Sequence, residues 1–259
     1  MFIIILYPSV LNKRVWYCMN FLSLFEKLCV CKFYMVLIMN HKSLIHVFLC
    51  FILFLGCSLF QVFGNNNYSS KKCVYPAIYN FGDSNSDTGA GYAAFYAANP
   101  PNGMKLFKNI PGRFSDGRVI VDFISEELNL PYLSSYLNSI GSNYSHGANF
   151  AVGGASIRPG QGYTPFHLSL QVSQFVLFKS RIKSGLHEDF SNAIYTIDIG
   201  QNDLAYGFQQ TSEKQVQRSI PEILTKLSQA VKKLYAQGAR VFWIHNTGPI
   251  GCLPFKYLN

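Results

Sequence analysis

The stretch Ala77-Ile78-Tyr79-Asn80-Phe81-Gly82-Asp83-Ser84-Asn85-Ser86-Asp87-Thr88-Gly89 decides how the rest of the chain is read. Its first half is a β-favouring apolar run, and it stops abruptly at glycine, acids and a serine. That pattern predicts a buried strand delivering Ser84 to a tight turn at the C-terminal edge of a sheet, where open α/β folds place their chemistry. Gly, Asp, Asn and Ser are also ordinary turn formers, so the stretch alone allows a plain strand-end turn. Two later stretches are set beside it below: Gly147-Ala148-Asn149-Phe150-Ala151-Val152-Gly153-Gly154-Ala155 and Ile197-Asp198-Ile199-Gly200-Gln201-Asn202-Asp203.

Working outward, Gly91 to Ala98 reads as a short helix that ends before the loop Asn99-Pro100-Pro101-Asn102-Gly103. Val119 to Leu128 has the spacing of a helix packed on one face, and so has Leu168 to Ile182. Ala148 to Val152, Ala193 to Ile199 and Arg240 to His245 read as strands. Ser219 to Gln237 is the clearest helix: Ser219-x-x-Glu222 has capping-box spacing and Gly238 supplies the stop. Strands alternating with helices imply an α/β fold with a mostly parallel sheet and right-handed crossovers.

The first 64 residues read as targeting, not fold. Residues 39–64 have the form of a secretory signal peptide: Met39-Asn40-His41-Lys42, an apolar run from Leu44 to Phe63, then the small Gly64. That run is also long enough to span a bilayer, which leaves a signal-anchored membrane protein as the alternative. Residues 1–38 show neither a helical stripe nor the charge pattern of a domain, and read as a spurious or non-structural N-terminal extension.

From Asn65 onward, seventeen Lys and Arg against twelve Asp and Glu leave a formal charge of +5, with no arginine-rich run or basic stripe. This argues against a nucleic-acid partner. Of seven cysteines only Cys73 and Cys252 lie outside the targeting region, and no zinc-type motif occurs. In an oxidising compartment these two could pair. Asn67 and Asn143 head glycosylation sequons, which matter only in a secreted chain.

Two lookalikes fail on their details. Asp83-x-Asn85-x-Asp87 begins like a calcium loop but has Thr88 at the sixth position and Ala94 at the twelfth. Gly89-x-Gly91-x-x-Ala94 imitates a dinucleotide fingerprint but starts well after its strand. Neither a metal nor an organic cofactor is implied. The Gly-x-Ser-x-Gly elbow of α/β-hydrolases is also missing.

The three ordered stretches resemble the GDSL (SGNH) esterases and lipases, in particular the plant branch with its early-nodulin-like and fucosidase-like members. Gly112-Arg113-Phe114-Ser115-Asp116-Gly117-Arg118 and His245-Asn246-Thr247-Gly248-Pro249-Ile250-Gly251-Cys252-Leu253-Pro254 add to the resemblance, which makes residues 65–259 a partial domain of that family. It implies a three-layer flavodoxin-like (SGNH hydrolase) fold, incomplete at the C-terminus. It also implies a secreted serine ester hydrolase of carboxylesterase or lipase type, acting on a small-molecule or cell-wall ester, with no membrane partner once the signal is removed.

By the same resemblance Ser84 is the nucleophile. The backbone N–H groups of Ser84 and Gly154 and the side-chain amide of Asn202 are the oxyanion donors, and Cys252 prefers a partner further towards the C-terminus. Asp83, Asp87 and Asp203 read as acceptors that organise the loop, and Arg113 and Arg118 as structural ion-pair partners. The family's base is a histidine in an Asp-x-x-His motif, and none of the six histidines here follows an aspartate by three; His245 reads as structural. The chain is therefore expected to lack its base through C-terminal truncation. That keeps a catalytically impaired secreted glycoprotein open as the alternative, with a glycosidase ranked lower because that chemistry needs two well-separated carboxyl groups.

Overall fold

The computed structural model describes residues 3–6, 74–95, 101–102, 112–182 and 190–248, all within one compact unit. A second unit, Trp16–Cys73, lies outside the described residues. The assigned signal segment, Asn67 and Cys73 fall there, and Cys252 is likewise outside the described residues.

One sheet holds β1 (Ile3–Leu6), β2 (Ile78–Gly82), β3 (Gly147–Asn149), β4 (Ile194–Asp198) and β5 (Val241–His245), in the order β1-β5-β4-β2-β3. β2 pairs in parallel with β3 on one side and β4 on the other, and β4 pairs in parallel with β5. The helices are α1 (Ala90–Ala94), α2 (Ile120–Glu127), α3 (Leu168–Arg181), α4 (Gln201–Gln210) and α5 (Glu213–Ala236). The expected α/β architecture with a parallel sheet is present.

Strand side chains alternate between faces, so the register sorts them into two layers. Tyr79, Tyr195 and Phe242 are register partners on one face. There they meet Val172, Phe175 and Phe178 of α3 and Ile223, Ala230 and Leu234 of α5 in one buried cluster. Rings dominate it: Tyr79 meets Phe175 edge-on at 5.2 Å, and Phe81 stacks on Phe150 at 5.3 Å. Each such pair adds about 0.5–1.5 kcal/mol beyond the area it buries.

The opposite face carries polar residues in register: Thr196, Asn80 and Asn149 stand side by side on β4, β2 and β3. Thr196 Oγ1 donates to Asn80 Oδ1 (2.7 Å), and Asn80 Nδ2 donates to Asn149 Oδ1 (2.7 Å) and to Ser86 Oγ (3.0 Å). Asn149 Nδ2 in turn donates to Ser86 O (2.6 Å) and Thr88 Oγ1 (2.9 Å), in the loop that carries Ser84.

β3 stops at Asn149, short of the expected Val152, and α1 ends at Ala94; three further elements differ more from the sequence expectation. β1 lies within the segment set aside as non-structural; its all-aliphatic residues run antiparallel along the outer edge of β5, as β-favouring residues can on a sheet edge. α4 was not foreseen, because Gly207 and a weak apolar stripe mask its periodicity. α5 starts at the Ser212 cap, with Gln215 closing the box, not at Ser219. It runs through Pro221 because that position is exposed, so the carbonyl that loses its N–H partner can turn to water.

Replacing Asn149 by alanine leaves Ser86 O, Thr88 Oγ1 and the Ala151 N–H short of a partner. At about 1–3 kcal/mol for each buried group left unpaired, urea unfolding of Asn149→Ala is expected to show a loss of about 3 kcal/mol or more. A loss below about 1 kcal/mol would show that the polar row does not hold the strands.

Candidate active site

Ser84 sits two residues beyond the end of β2, half-buried between the fully buried Asp83 and Ser86. The turn is held by carboxylates. Asp83 Oδ1 accepts from the Asn85 N–H (3.1 Å) and from Gln201 Nε2 (2.8 Å). Asp87 accepts four backbone N–H bonds: Gly89 and Ala90 on Oδ1 (2.7 Å each), Gly91 (3.0 Å) and Gly153 (2.7 Å) on Oδ2. Burial pushes its pKa up and the four donors pull against that.

These bonds join the three sequence stretches. Asp87 ties the Ser84 turn to the Gly153-Gly154 turn, and Gln201 ties it to the start of α4. Asn202 Nδ2 closes the triangle by donating to Ala155 O (2.8 Å). Asp203 holds the segment after Ala155, accepting from the Ile157 N–H (2.7 Å) and the Arg158 N–H (3.0 Å). All three aspartates thus act as the buried acceptors expected of them. Arg113 and Arg118 form the expected ion pairs, with Asp122 (2.8 Å) and Glu126 (2.6 Å).

Ser84, Gly154 and Asn202 line one cavity of about 480 Å³. Gly154 has φ +77°, and a Cβ there would stand 3.0 Å from Tyr163 Cβ and 3.1 Å from Thr164 Cγ2, so the turn requires glycine. Among the described residues, neither the Ser84 nor the Gly154 backbone N–H has a hydrogen-bond partner. Asn202 spends one amide hydrogen on Ala155 and keeps the second. Three donors thus stand at one cavity beside one hydroxyl.

Gln171 was not singled out from the sequence. Its buried amide accepts from the Gly82 N–H (2.9 Å) and donates to Gly82 O (2.8 Å) and Phe166 O (2.9 Å), pinning the end of β2 to α3. The available signal was a polar residue on the buried stripe Leu168, Val172, Phe175 and Phe178 of α3.

His245 closes β5 with Nδ1 4.0 Å from Asp198 Oδ2, and its ring stacks on Trp243. Burial holds the imidazole below its usual range and Asp198 above the carboxylate range, each partly offset by the other's charge. His245 is not among the residues lining the cavity.

Comparison with known proteins fits this geometry. Residues 78–259 match the model of the GDSL-like lipase/acylhydrolase family. The chain belongs to that family. A GDSL esterase/lipase of Arabidopsis thaliana is 54% identical over 199 residues, covering 72% of this chain and 54% of the relative. An esterase of Hevea brasiliensis is 50% identical over 207 residues (73% and 53%), and a protein named alpha-L-fucosidase 3 of Arabidopsis thaliana is 49% identical over 205 residues (72% and 55%). The chain spans about half the length of these relatives.

Asp83 makes the site pH-sensitive. Burial, together with the nearby Asp198 and Asp203 charges, raises its pKa from 3.8 to about 8, and its buried Oδ2 has no partner among the described residues. The folded chain therefore holds a proton that the unfolded chain has released between about pH 4 and pH 8. This group's contribution to stability is complete below about pH 4 and is lost as pH rises through about 8. Asp83→Asn imitates the protonated acid, so its stability relative to the unaltered chain is expected to rise between pH 5 and pH 8 in urea titrations. A constant difference across that range would place the Asp83 pKa near its ordinary value.

Proposed function

We propose that this chain carries the nucleophile and oxyanion pocket of a serine ester hydrolase. The observation that carries the proposal is that Ser84, Gly154 and Asn202 line one cavity, and family membership supports the same reaction class. Ser84 Oγ attacks the ester carbonyl. The backbone N–H groups of Ser84 and Gly154, with the Asn202 amide, receive the negative charge that develops on the carbonyl oxygen. The alcohol leaves, and water then hydrolyses the acyl-enzyme.

A base must take the Ser84 proton. No histidine is among the described residues lining the cavity, so this role falls to a group outside them. Glycosidase chemistry is less well supported: the lining includes no carboxylate among the described residues, and Asp83, Asp87 and Asp203 are buried in the hydrogen bonds that build the loops.

Hydrolysis of p-nitrophenyl acetate by the full chain is expected to fall to background in Ser84→Ala and by about 10²–10³ in Asn202→Ala. The comparison is internal, so it holds at any absolute rate; equal rates for the chain and Ser84→Ala would overturn the proposal.

The proposal extends to a secreted glycoprotein entering the export pathway through residues 39–64. Asn143 supports it, being exposed on a turn where its Oδ1 accepts from the Ser145 N–H (2.9 Å). Expressed in plant cells, the chain is expected in the extracellular fluid, with an endoglycosidase-sensitive mass that falls in Asn143→Gln. Retention inside the cell with no mass change would count against export.

A further inference from the structure

The rim of the Ser84 cavity is aromatic. Phe95, Phe114 and Tyr163 line it while remaining 47%, 37% and 51% exposed. What sets these three apart is that they stand together around one cavity, where a ligand would recover their apolar area. None of them is loose, because a second ring backs each one. Phe114 stacks on Tyr92 (5.7 Å, 11° between planes), Phe95 meets Phe166 edge-on at 5.7 Å, and Tyr163 meets Tyr206 edge-on at 5.7 Å. The Tyr163 hydroxyl is also tied down, donating to Gln209 Oε1 at 2.9 Å.

Phe114 lies against the oxyanion turn itself: a Cβ on Gly153 would come within 2.8 Å of its ring. The aromatic wall therefore stands next to the position of the reacting carbonyl, within the reach of a short linker. No charged side chain lines the cavity among the described residues, so a charged ligand would lose its hydration without a counter-charge. The volume of about 480 Å³ is that of a small-molecule site. Rigid rings held by second rings favour a ligand that is flat and apolar, because offset or edge contacts with a planar ring add to simple burial.

We propose that this collar selects a neutral ester that carries a flat aromatic ring a few bonds from its carbonyl. The inference rests on the hydrolase reading for the word ester; the preference for a flat ring stands on the collar alone.

Two matched pairs of probes separate these layers. For turnover, ethyl 3-phenylpropanoate is compared with ethyl 3-cyclohexylpropanoate, and 2-phenylethyl acetate with 2-cyclohexylethyl acetate, by acid release. In each pair the ester linkage is the same and a flat aromatic ring is replaced by a puckered saturated one that is bulkier and more lipophilic, so a preference for phenyl is not explained by apolar burial alone. For binding without turnover, 4-phenylbutan-2-one is compared with 4-cyclohexylbutan-2-one by ligand-observed NMR titration of the full chain. The phenyl ketone, and the phenyl member of at least one ester pair, are expected to be preferred about two- to tenfold. That ratio is expected to fall towards one in Phe114→Leu or Tyr163→Leu, which sit on different segments and keep an apolar side chain.

Equal affinities for the two ketones, no detectable binding of either, or a preference that survives both substitutions would overturn the collar. Ser84-dependent hydrolysis without ring preference would overturn it too while leaving the hydrolase reading intact. A ring preference in binding with no Ser84-dependent hydrolysis would sustain the collar and sink the hydrolase reading.

Discussion

The row of hydrogen bonds from Thr196 through Asn80 to Asn149 crosses three parallel strands at one level, and the placement of the site depends on it. A parallel sheet buried on both faces is weakly specified by apolar packing alone, since most strand positions are hydrophobic. Here one face is polar at that level and the other is packed with rings. Slipping β2 by one residue would push Asn80 among Phe175 and Tyr195 and turn Tyr79 towards the amides. Burying an unpaired amide costs enough to forbid that register. The same amides then bond Ser86 and Thr88, so the interaction that fixes the strands also fixes the loop holding Ser84.

Above that row, the site is assembled by short bonds between loops and not by one rigid element. Asp87 gathers four N–H groups from two turns, Gln201 reaches back to Asp83 and Asn202 to Ala155, and Gln171 braces Gly82 from α3. Each loop end is thus tied to at least one other. The donors proposed to meet a small, developing charge would need this mutual restraint, because a shift of the order of 1 Å removes much of such an effect.

Much of this was legible in the sequence because turn chemistry is local. The apolar run ending at Gly82 places Ser84 on a turn at a sheet edge, whereas Gly154 and Asn202 stand out only through the resemblance of their stretches to the family, since alone they read as ordinary turn residues. Helix positions with a clean apolar stripe, such as 120–127 and 168–181, were equally readable. What stayed hidden depends on partners distant in sequence. Gln171 is 89 residues from Gly82, and nothing local announces that its amide meets a backbone. The early start of α5 was hidden for a different reason: Pro221 normally ends a helix, and only its exposure makes the interior position tolerable.

The protonation of Asp83 connects the fold to the chemistry proposed for it. An oxyanion forming at the Ser84 cavity brings negative charge close to a buried acid that shares its peptide link with the nucleophile. Like charges repel, and more strongly around a buried group than in water. Burial beside Asp198 and Asp203 raises the Asp83 pKa to about 8 and so keeps it uncharged at neutral pH. Burial raises the Asp87 pKa as well, against four N–H donors that favour its charged form. Neither carboxyl group is among the described residues lining the cavity, and burial raises the pKa of both, which disfavours a fixed negative charge next to the proposed nucleophile.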